Sequence, residues 1–109
     1  MSNRYLVRPK ADEDLDEQAY YYASKATPEL GHRFLMAAHE TFNLLATQPE
    51  MGWRPRLSHP TLTSLRVFRV NGFKNIIILY LPVAEGVEIL RVISGSRSLE
   101  ALLSREGLE

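Results

Sequence analysis

The chain has 109 residues, and this length predicts one domain over residues 1–109. Hydrophobic residues make up 45% and charged residues 24%, which is typical of a folded globular domain and excludes disorder throughout. The formal net charge is zero, so we expect neither a nucleic-acid coat protein nor sequence-specific DNA binding by this chain alone.

The sequence favours a cytoplasmic protein. It has no cysteine, which excludes disulfides and thiolate metal sites and suits a reducing compartment. Its longest apolar run, Ile76–Leu81, has six residues, against the ~18 that a membrane-spanning helix needs. Met1–Lys10 lacks the apolar core of a secretion signal. We therefore expect no contact with a membrane.

The charges are distributed unevenly along the chain. Residues 1–50 carry five basic and eight acidic residues, whereas residues 51–109 carry eight basic and five acidic residues. Between Arg54 and Arg97, seven bases accompany only two acids. This pattern fits either an ordinary mixed surface or a basic functional face in the second half of the chain.

The first half predicts a short strand and two helices. Arg4–Arg8 is predicted to be an edge strand, with Arg8 extended because it precedes a proline. Apolar residues at three- and four-residue steps predict a helix over Ala11–Ala26. A second helix begins after Thr27, a capping residue followed by proline, and runs to about Gln48. The short link between the helices predicts an antiparallel hairpin.

The second half predicts three strands and a short helix. The strands are Leu65–Val70, Asn75–Val83 and Val87–Ser94. Asn71-Gly72 predicts the first turn, which Phe73 and Lys74 could lengthen. We expect Met51–Ser64 to be an irregular loop and Ser98–Arg105 to be a C-terminal helix.

The resulting order, β-α-α-β-β-β, predicts an α+β fold with the helix hairpin packed on a mainly antiparallel four-stranded sheet. The central strand is apolar on both faces. Because side chains alternate along a strand, its apolar residues divide between the two faces of the sheet. One face carries Ile76, Ile78 and Tyr80, and the other carries Ile77, Leu79 and Leu81. The hairpin can cover only one face, so the other needs the C-terminal helix or a partner. An open apolar face would indicate a binding role.

No catalytic or metal-binding motif is present. His32 and His39 are seven residues apart on one helix, whereas helical zinc pairs use a four-residue step. The loop residue His59 is a minor candidate for a general base. G-x-S-x-G and phosphate-loop patterns are absent, so we expect no metal and no cofactor. Arginines on the sheet suit carboxylate or phosphate recognition, although for Arg66 or Arg91 we favour an ion pair with an acid of the hairpin.

Five segments, in their order and spacing, carry a resemblance that covers about residues 4–103. They are A-D-E-D-L at Ala11–Leu15, L-x-x-x-P-x-x-G at Leu45–Gly52, L-R-V-F-R-V at Leu65–Val70, the apolar strand with Tyr80, and I-L-R-V-I-S-G-S-R at Ile89–Arg97. Together they resemble the ParE/RelE superfamily of toxins from bacterial type II toxin–antitoxin modules, which include plasmid-stabilisation systems. The resemblance is closer to ParE than to RelE.

The resemblance implies the same β-α-α-β-β-β fold and a ParD-like antitoxin whose C-terminal segment wraps the toxin. Such a segment would cover the open apolar face. ParE-like toxins inhibit DNA gyrase, whereas RelE-like toxins cut mRNA in the ribosomal A site. We therefore expect a non-enzymatic gyrase inhibitor. The alternatives are a RelE-like ribosome-dependent mRNA interferase that uses Arg69, Lys74 and Arg97, and a decayed toxin that only binds its antitoxin.

The similarity to RelE is incomplete at the positions of proton transfer. Lys74 falls near a basic position of that pattern, and Arg97 falls at the arginine after the last strand. Leu103 stands where a tyrosine is expected, and Ser94 stands where some relatives, including ParE-like ones, carry histidine. General acid–base help is worth ~100- to 10,000-fold in rate, so its loss weighs against the nuclease. The change at Ser94 also keeps the decayed toxin as an alternative.

The resemblance and the strand pattern together define two sets of candidate site residues. The candidate contacts to a target or to phosphate are Arg69, Lys74, Arg91 and Arg97. The candidate antitoxin contacts are Ile76, Ile78, Tyr80, Leu99, Leu102 and Leu103.

Overall fold

The computed structural model describes residues 4–55 and 64–95 and contains six elements in the predicted order. They are β1 (Arg4–Val7), α1 (Pro9–Lys25), α2 (Pro28–Thr47), β2 (Arg66–Val70), β3 (Phe73–Val83) and β4 (Gly86–Ser94). The predicted α+β fold is confirmed. The predicted helix Ser98–Arg105 and most of the predicted loop Met51–Ser64 lie outside the described residues.

Helix α1 begins two residues earlier than predicted, at Pro9 rather than Ala11. The fixed φ of proline suits the first helical position, and its missing N–H would be unpaired there in any case. Arg8 is extended as predicted, with φ −68° and ψ 153°, and serves as the N-cap. The Arg8 N–H donates to the Ile89 carbonyl at 3.0 Å, which ties the junction between β1 and α1 to the sheet.

Helix α2 begins as predicted, because the Thr27 hydroxyl accepts a hydrogen bond from the Leu30 N–H at 3.1 Å. It packs closely against α1 at Gly31. A Cβ atom there would lie 2.7 Å from the Ala19 carbonyl oxygen, so the absence of a side chain permits the approach. Within residues 4–55 and 64–95, no helix is long and apolar enough to cross a membrane.

The four strands form one sheet in the order β1-β4-β3-β2. Strand β1 lies at the edge, as predicted, and pairs parallel with β4, while the other two pairings are antiparallel. Phe73 and Lys74 belong to β3 rather than to a lengthened turn, because Gly72 adopts φ 84° and closes a two-residue connection. The Asn71 N–H donates to the Thr41 hydroxyl at 3.1 Å, which holds this turn against α2.

The main core lies between the helices and one face of the sheet, as the alternation in β3 predicted. Leu15, Phe34 and Phe42 of the helices are no more than 1% exposed there. Ile76, Ile78 and Tyr80 lie in this core and are at most 3% exposed. This burial leaves these three side chains no surface for a partner, so they do not fit the antitoxin contacts that the sequence suggested.

The opposite face of the sheet carries a second cluster. Its buried members are Leu65, Val67, Leu79, Leu90 and Ile93, each at most 3% exposed, with Ile77 and Leu81 packed beside them. The expected separation of Ile77, Leu79 and Leu81 from the main core is therefore confirmed. The buried members of this face are removed from solvent, so they do not form the open apolar face that would indicate a binding role.

Candidate functional site

Arg91, a predicted target contact, is buried in an ion pair with Asp14. Arg91 lies in β4 and is 4% exposed, and Asp14 lies in α1 and is 7% exposed. The Arg91 Nε donates to Asp14 Oδ2 at 2.7 Å, and Nη2 donates to Oδ1 at 3.0 Å. This two-point geometry is the strong form of the arginine–carboxylate contact. The interpretation as an ion pair with the hairpin is confirmed, and the burial withholds Arg91 from a macromolecular target.

The position of this pair follows from the length of β1. Strand β1 pairs with β4 only as far as Ile89. Beyond that point, the Val92 N–H donates to Asp14 Oδ2 at 2.9 Å. The carboxylate therefore takes the place of a strand partner for β4 and pairs with Arg91 at the same time. Asp14, one of the acids near the start of α1, therefore has a structural role.

Tyr80 organises the segment that follows α2. Its buried hydroxyl donates to the Pro49 carbonyl at 2.8 Å and accepts from the Gly52 N–H at 2.9 Å. Burial raises the pKa of Tyr80, against smaller lowering effects from the Gly52 hydrogen bond and the charge of Arg66. A Cβ on Gly52 would lie 2.6 Å from the hydroxyl oxygen. The L-x-x-x-P-x-x-G motif thus places a carbonyl and an N–H around one tyrosine.

Arg66 also holds this segment. Its Nη1 donates to the Gly52 carbonyl at 2.7 Å and to the Glu50 carbonyl at 3.2 Å. The partners are backbone oxygens rather than an acid of the helix hairpin, so the ion pair considered for Arg66 is not among its described contacts. Together with Tyr80, Arg66 fixes the path of the chain from Glu50 to Gly52.

Trp53 follows directly and presents its ring at the edge of the sheet. Its backbone exchanges two hydrogen bonds with Val67, at 2.9 and 2.8 Å, in an isolated bridge beside β2. The side chain is 42% exposed. The Arg69 guanidinium lies 5.1 Å from the centre of the ring, which is cation–π distance. Sequence reasoning missed Trp53 as a site residue, although it is the one tryptophan in the chain.

The β2–β3 hairpin is basic. Arg69 and Lys74 are both exposed on it, on either side of the Asn71-Gly72 turn. From Ser64 to Ala84 the chain contains three basic residues and no acid. Within residues 4–55 and 64–95, neither Arg69 nor Lys74 forms a salt bridge, since the ion pairs found there involve other side chains. These two of the four predicted target contacts remain on the surface.

An apolar groove lies next to the segment that Tyr80 holds. Its apolar lining residues are Pro49, Met51, Pro82 and Val83, and Gln48 and Glu50 complete the lining. A second, more polar depression shares Pro82 and includes Arg54 and Arg66. We use the name "Trp53 surface" for the exposed pair Trp53 and Arg69.

The remaining predicted site residues lie outside the described ranges. They are Arg97, Leu99, Leu102 and Leu103, and the loop residue His59. Ser94 is described and lies at the end of β4, partly buried. In the part of the chain that the structure describes, no group of three His, Asp or Glu side chains could hold a metal ion.

Comparison with known proteins identifies the family. Residues 5–99 match the model of a family described as the ParE toxin of the type II toxin–antitoxin system parDE. Among curated protein sequences, none gives a significant match. A solved structure of the chromosomal ParDE TA system from P. aeruginosa is similar in fold, with a TM-score of 0.67 and 20% identity over 86% of this chain and 95% of that chain. Because the family match spans most of its length, the chain belongs to the ParE toxin family of type II toxin–antitoxin systems.

Proposed function

We propose that this ParE-family toxin is neutralised by a ParD-like antitoxin and acts by inhibiting DNA gyrase, without catalysing a reaction. The family match over residues 5–99 is the observation that carries the proposal. The antitoxin follows from membership of a two-component module, and gyrase follows from the resemblance to ParE rather than RelE.

The described surface is compatible with a toxin that works by binding. The exposed Trp53 and Arg69 are residue types that contribute strongly to protein interfaces. Arg91 is committed to Asp14, which removes it from the set of residues that could contact a reacting phosphate. Ser94 occupies the place where some relatives carry a histidine, and a serine hydroxyl is a poor acid or base near neutral pH.

A ribosome-dependent mRNA interferase is the second candidate function. It is favoured by the exposure of Arg69 and Lys74 on one hairpin, because exposed cations can hold a phosphate backbone. This candidate also requires Arg97 and a proton-transfer group, and neither Ser94 nor Leu103 provides one.

Controlled expression tests the proposal. The toxin is induced alone and together with the product of the adjacent small reading frame. We expect the toxin alone to stop growth while mRNA profiles stay intact and plasmid supercoiling falls, and we expect co-expression to restore growth. Cleaved mRNA would favour the interferase instead. Normal growth with abundant folded toxin would favour a decayed toxin, and continued arrest on co-expression would contradict the antitoxin assignment.

A further inference from the structure

We propose that Asn71, in the turn between β2 and β3, is a site of spontaneous deamidation, which converts it to aspartate or isoaspartate. The modification introduces the first acid into the segment from Ser64 to Ala84, which otherwise carries three basic residues. The inference concerns the chemistry of the turn itself and does not depend on the target of the toxin.

The reaction needs only the chain and water. The Gly72 backbone nitrogen attacks the side-chain amide carbon of Asn71, and the new C–N bond closes a succinimide ring. The amide nitrogen leaves as ammonia and takes the proton that the Gly72 N–H gives up. Water then opens the ring at either of its two carbonyl carbons. One opening produces aspartate, and the other produces isoaspartate, in which the former side-chain carbon has become part of the backbone.

The structure leaves both reacting groups accessible. Asn71 and Gly72 are exposed. Within residues 4–55 and 64–95, no group accepts a hydrogen bond from the Gly72 N–H, and the Asn71 side-chain amide has no hydrogen-bond partner. A Cβ added at Gly72 would meet no atom within 4 Å. Ring closure therefore breaks no hydrogen bond between described residues, and no described neighbour crowds the attacking nitrogen.

The hydrogen bond that holds Asn71 in place does not protect its side chain. The Asn71 N–H donates to the Thr41 hydroxyl at 3.1 Å. That nitrogen takes no part in the reaction, which involves the side-chain amide and the following peptide nitrogen. The contact with Thr41 therefore positions the turn and leaves the reacting atoms exposed.

The other described asparagines have residues after them that oppose the reaction. Asn43 lies within α2, where the N–H of the following Leu44 belongs to the hydrogen-bond pattern of the helix. Asn75 lies in β3 and precedes Ile76, whose β-branched side chain crowds the backbone nitrogen and is 3% exposed. The structure therefore favours Asn71 over these two asparagines.

Deamidation changes the hairpin where its exposed cations lie. Arg69 and Lys74 are two and three residues from Asn71 along the chain. A carboxylate at position 71 offsets one of these charges and weakens the attraction of the hairpin for an anionic partner. Isoaspartate also adds one backbone carbon to the two-residue connection between β2 and β3.

Peptide mapping of the folded toxin measures the reaction. The full chain is incubated at mildly alkaline pH, digested at intervals and analysed by mass spectrometry, which detects the replacement of an amide NH₂ by OH. We expect the rate at Asn71 to exceed the rates at Asn43 and Asn75 in the same samples about tenfold or more. The rate at Asn71 should rise with pH, because the Gly72 nitrogen must lose its proton.

Variants test the assignment and the change in charge, with circular dichroism to verify that each is folded. Gly72→Ala places a methyl group beside the attacking nitrogen and should slow the loss of Asn71 about tenfold. Asn71→Asp should elute from a cation-exchange column with the aspartate form of the aged wild type. It should also elute before Asn43→Asp, the matched control, which adds the same charge at an exposed position of α2.

A parallel incubation in urea separates the effect of the fold from that of the sequence. We expect Asn71 to react in the folded toxin at a rate comparable to that in the unfolded chain. If the unfolded chain loses Asn71 while the folded toxin keeps it, the turn protects the residue and the proposal is wrong. Equal rates at the three asparagines of the folded toxin would also overturn it. Elution of Asn71→Asp together with Asn43→Asp would contradict the effect on the basic hairpin.

Discussion

The Tyr80 hydroxyl oxygen lies 2.9 Å from the Gly52 backbone nitrogen and joins the middle of β3 to the chain segment after α2. The same oxygen lies 2.8 Å from the Pro49 carbonyl. Because Trp53 directly follows Gly52, one buried hydroxyl helps to set the position of the exposed indole ring. This contact connects the core to the Trp53 surface.

Replacing the hydroxyl should therefore affect both stability and the exposed tryptophan. Tyr80→Phe leaves the Gly52 N–H and the Pro49 carbonyl without this partner, which we expect to cost about 1–3 kcal/mol of unfolding free energy. Urea unfolding measures the loss. In the folded variant, the emission maximum of Trp53 should shift to longer wavelength, because an indole that is held less firmly has more contact with water. Tyr20→Phe, at a 76% exposed position, is the matched control and should leave both unchanged. Equal stability of the two variants would contradict the role of the hydroxyl.

Tyr80 also predicts how stability depends on alkaline pH. Burial raises the pKa of Tyr80 in the folded protein above the ordinary value of 10.0. The folded state then holds the proton more tightly than the unfolded chain, so the contribution is complete below about pH 10 and falls as the pH rises further. The pKa of Tyr22 is also raised, by burial and by Tyr21. Tyr22 therefore acts in the same direction in the wild type and in Tyr80→Phe.

The comparison of wild type with Tyr80→Phe isolates this effect. We expect the unfolding free energy of the wild type to fall more steeply above about pH 10 than that of the variant. Urea unfolding at pH values from about 8 to 11 provides the two slopes. Parallel pH profiles would show that Tyr80 does not contribute to the alkaline loss.

Two glycines with positive φ should respond differently to alanine. Gly86 has φ 152°, and a Cβ there would overlap the Arg4 carbonyl. We expect Gly86→Ala to push β1 away from β4 and to cost at least about 2 kcal/mol. Gly72 has φ 84° with nothing within 4 Å of an added Cβ, so Gly72→Ala should cost only about 1 kcal/mol of backbone strain.

Hydrogen exchange distinguishes the two glycine effects. In Gly86→Ala, the Arg8 amide that donates to Ile89 should exchange faster, because the junction that carries it is displaced. In Gly72→Ala, this amide should keep its wild-type protection. Equal destabilisation by the two substitutions, with unchanged protection of Arg8, would contradict the close approach of β1 at Gly86.

The Asp14–Arg91 pair should be essential to stability. Asp14→Ala leaves the buried guanidinium without its carboxylate, and breaking such a pair costs about 3–5 kcal/mol. An apolar double replacement, Asp14→Leu with Arg91→Met, should recover part of that loss because no buried charge remains, although the Val92 N–H still loses its Asp14 acceptor. Glu13→Ala, which removes an exposed 3.7 Å contact with Lys10, should cost less than about 1 kcal/mol.

Thermal unfolding of these variants measures the ranking. We expect the Tm to be lowest for Asp14→Ala, higher for the double replacement, and nearly unchanged for Glu13→Ala. If Asp14→Ala is no less stable than Glu13→Ala, the ion pair does not stabilise the junction between α1 and β4.

The fold was largely predictable because its signals are local. Thr27 and the following proline mark a helix start, and Asn71-Gly72 marks a turn between strands. The alternation from Ile76 to Leu81 correctly separates the two faces of β3. Helix α1 begins two residues before the predicted Ala11, because the periodic apolar pattern starts after Pro9 whereas proline favours the first helical position.

The candidate site was less predictable because it depends on contacts between distant residues. Asp14 and Arg91 are 77 positions apart, and Gly52 and Tyr80 are 28 apart. The register shift in the β3–β4 pairing between Leu79 and Tyr80 is a tertiary feature with no local signal. A buried arginine and an exposed one have the same letter in the sequence, so Arg91 and Arg69 could be told apart only by the structure.

The most direct test of the proposed function is a DNA gyrase supercoiling assay. Purified toxin, free of antitoxin, is titrated against gyrase and relaxed plasmid, with Arg97→Ala as the test variant and Arg33→Ala as the control. We predict a dose-dependent loss of supercoiling, or trapped cleaved DNA, that weakens in Arg97→Ala and persists in Arg33→Ala. Full supercoiling activity in the presence of excess folded toxin would contradict gyrase as the target.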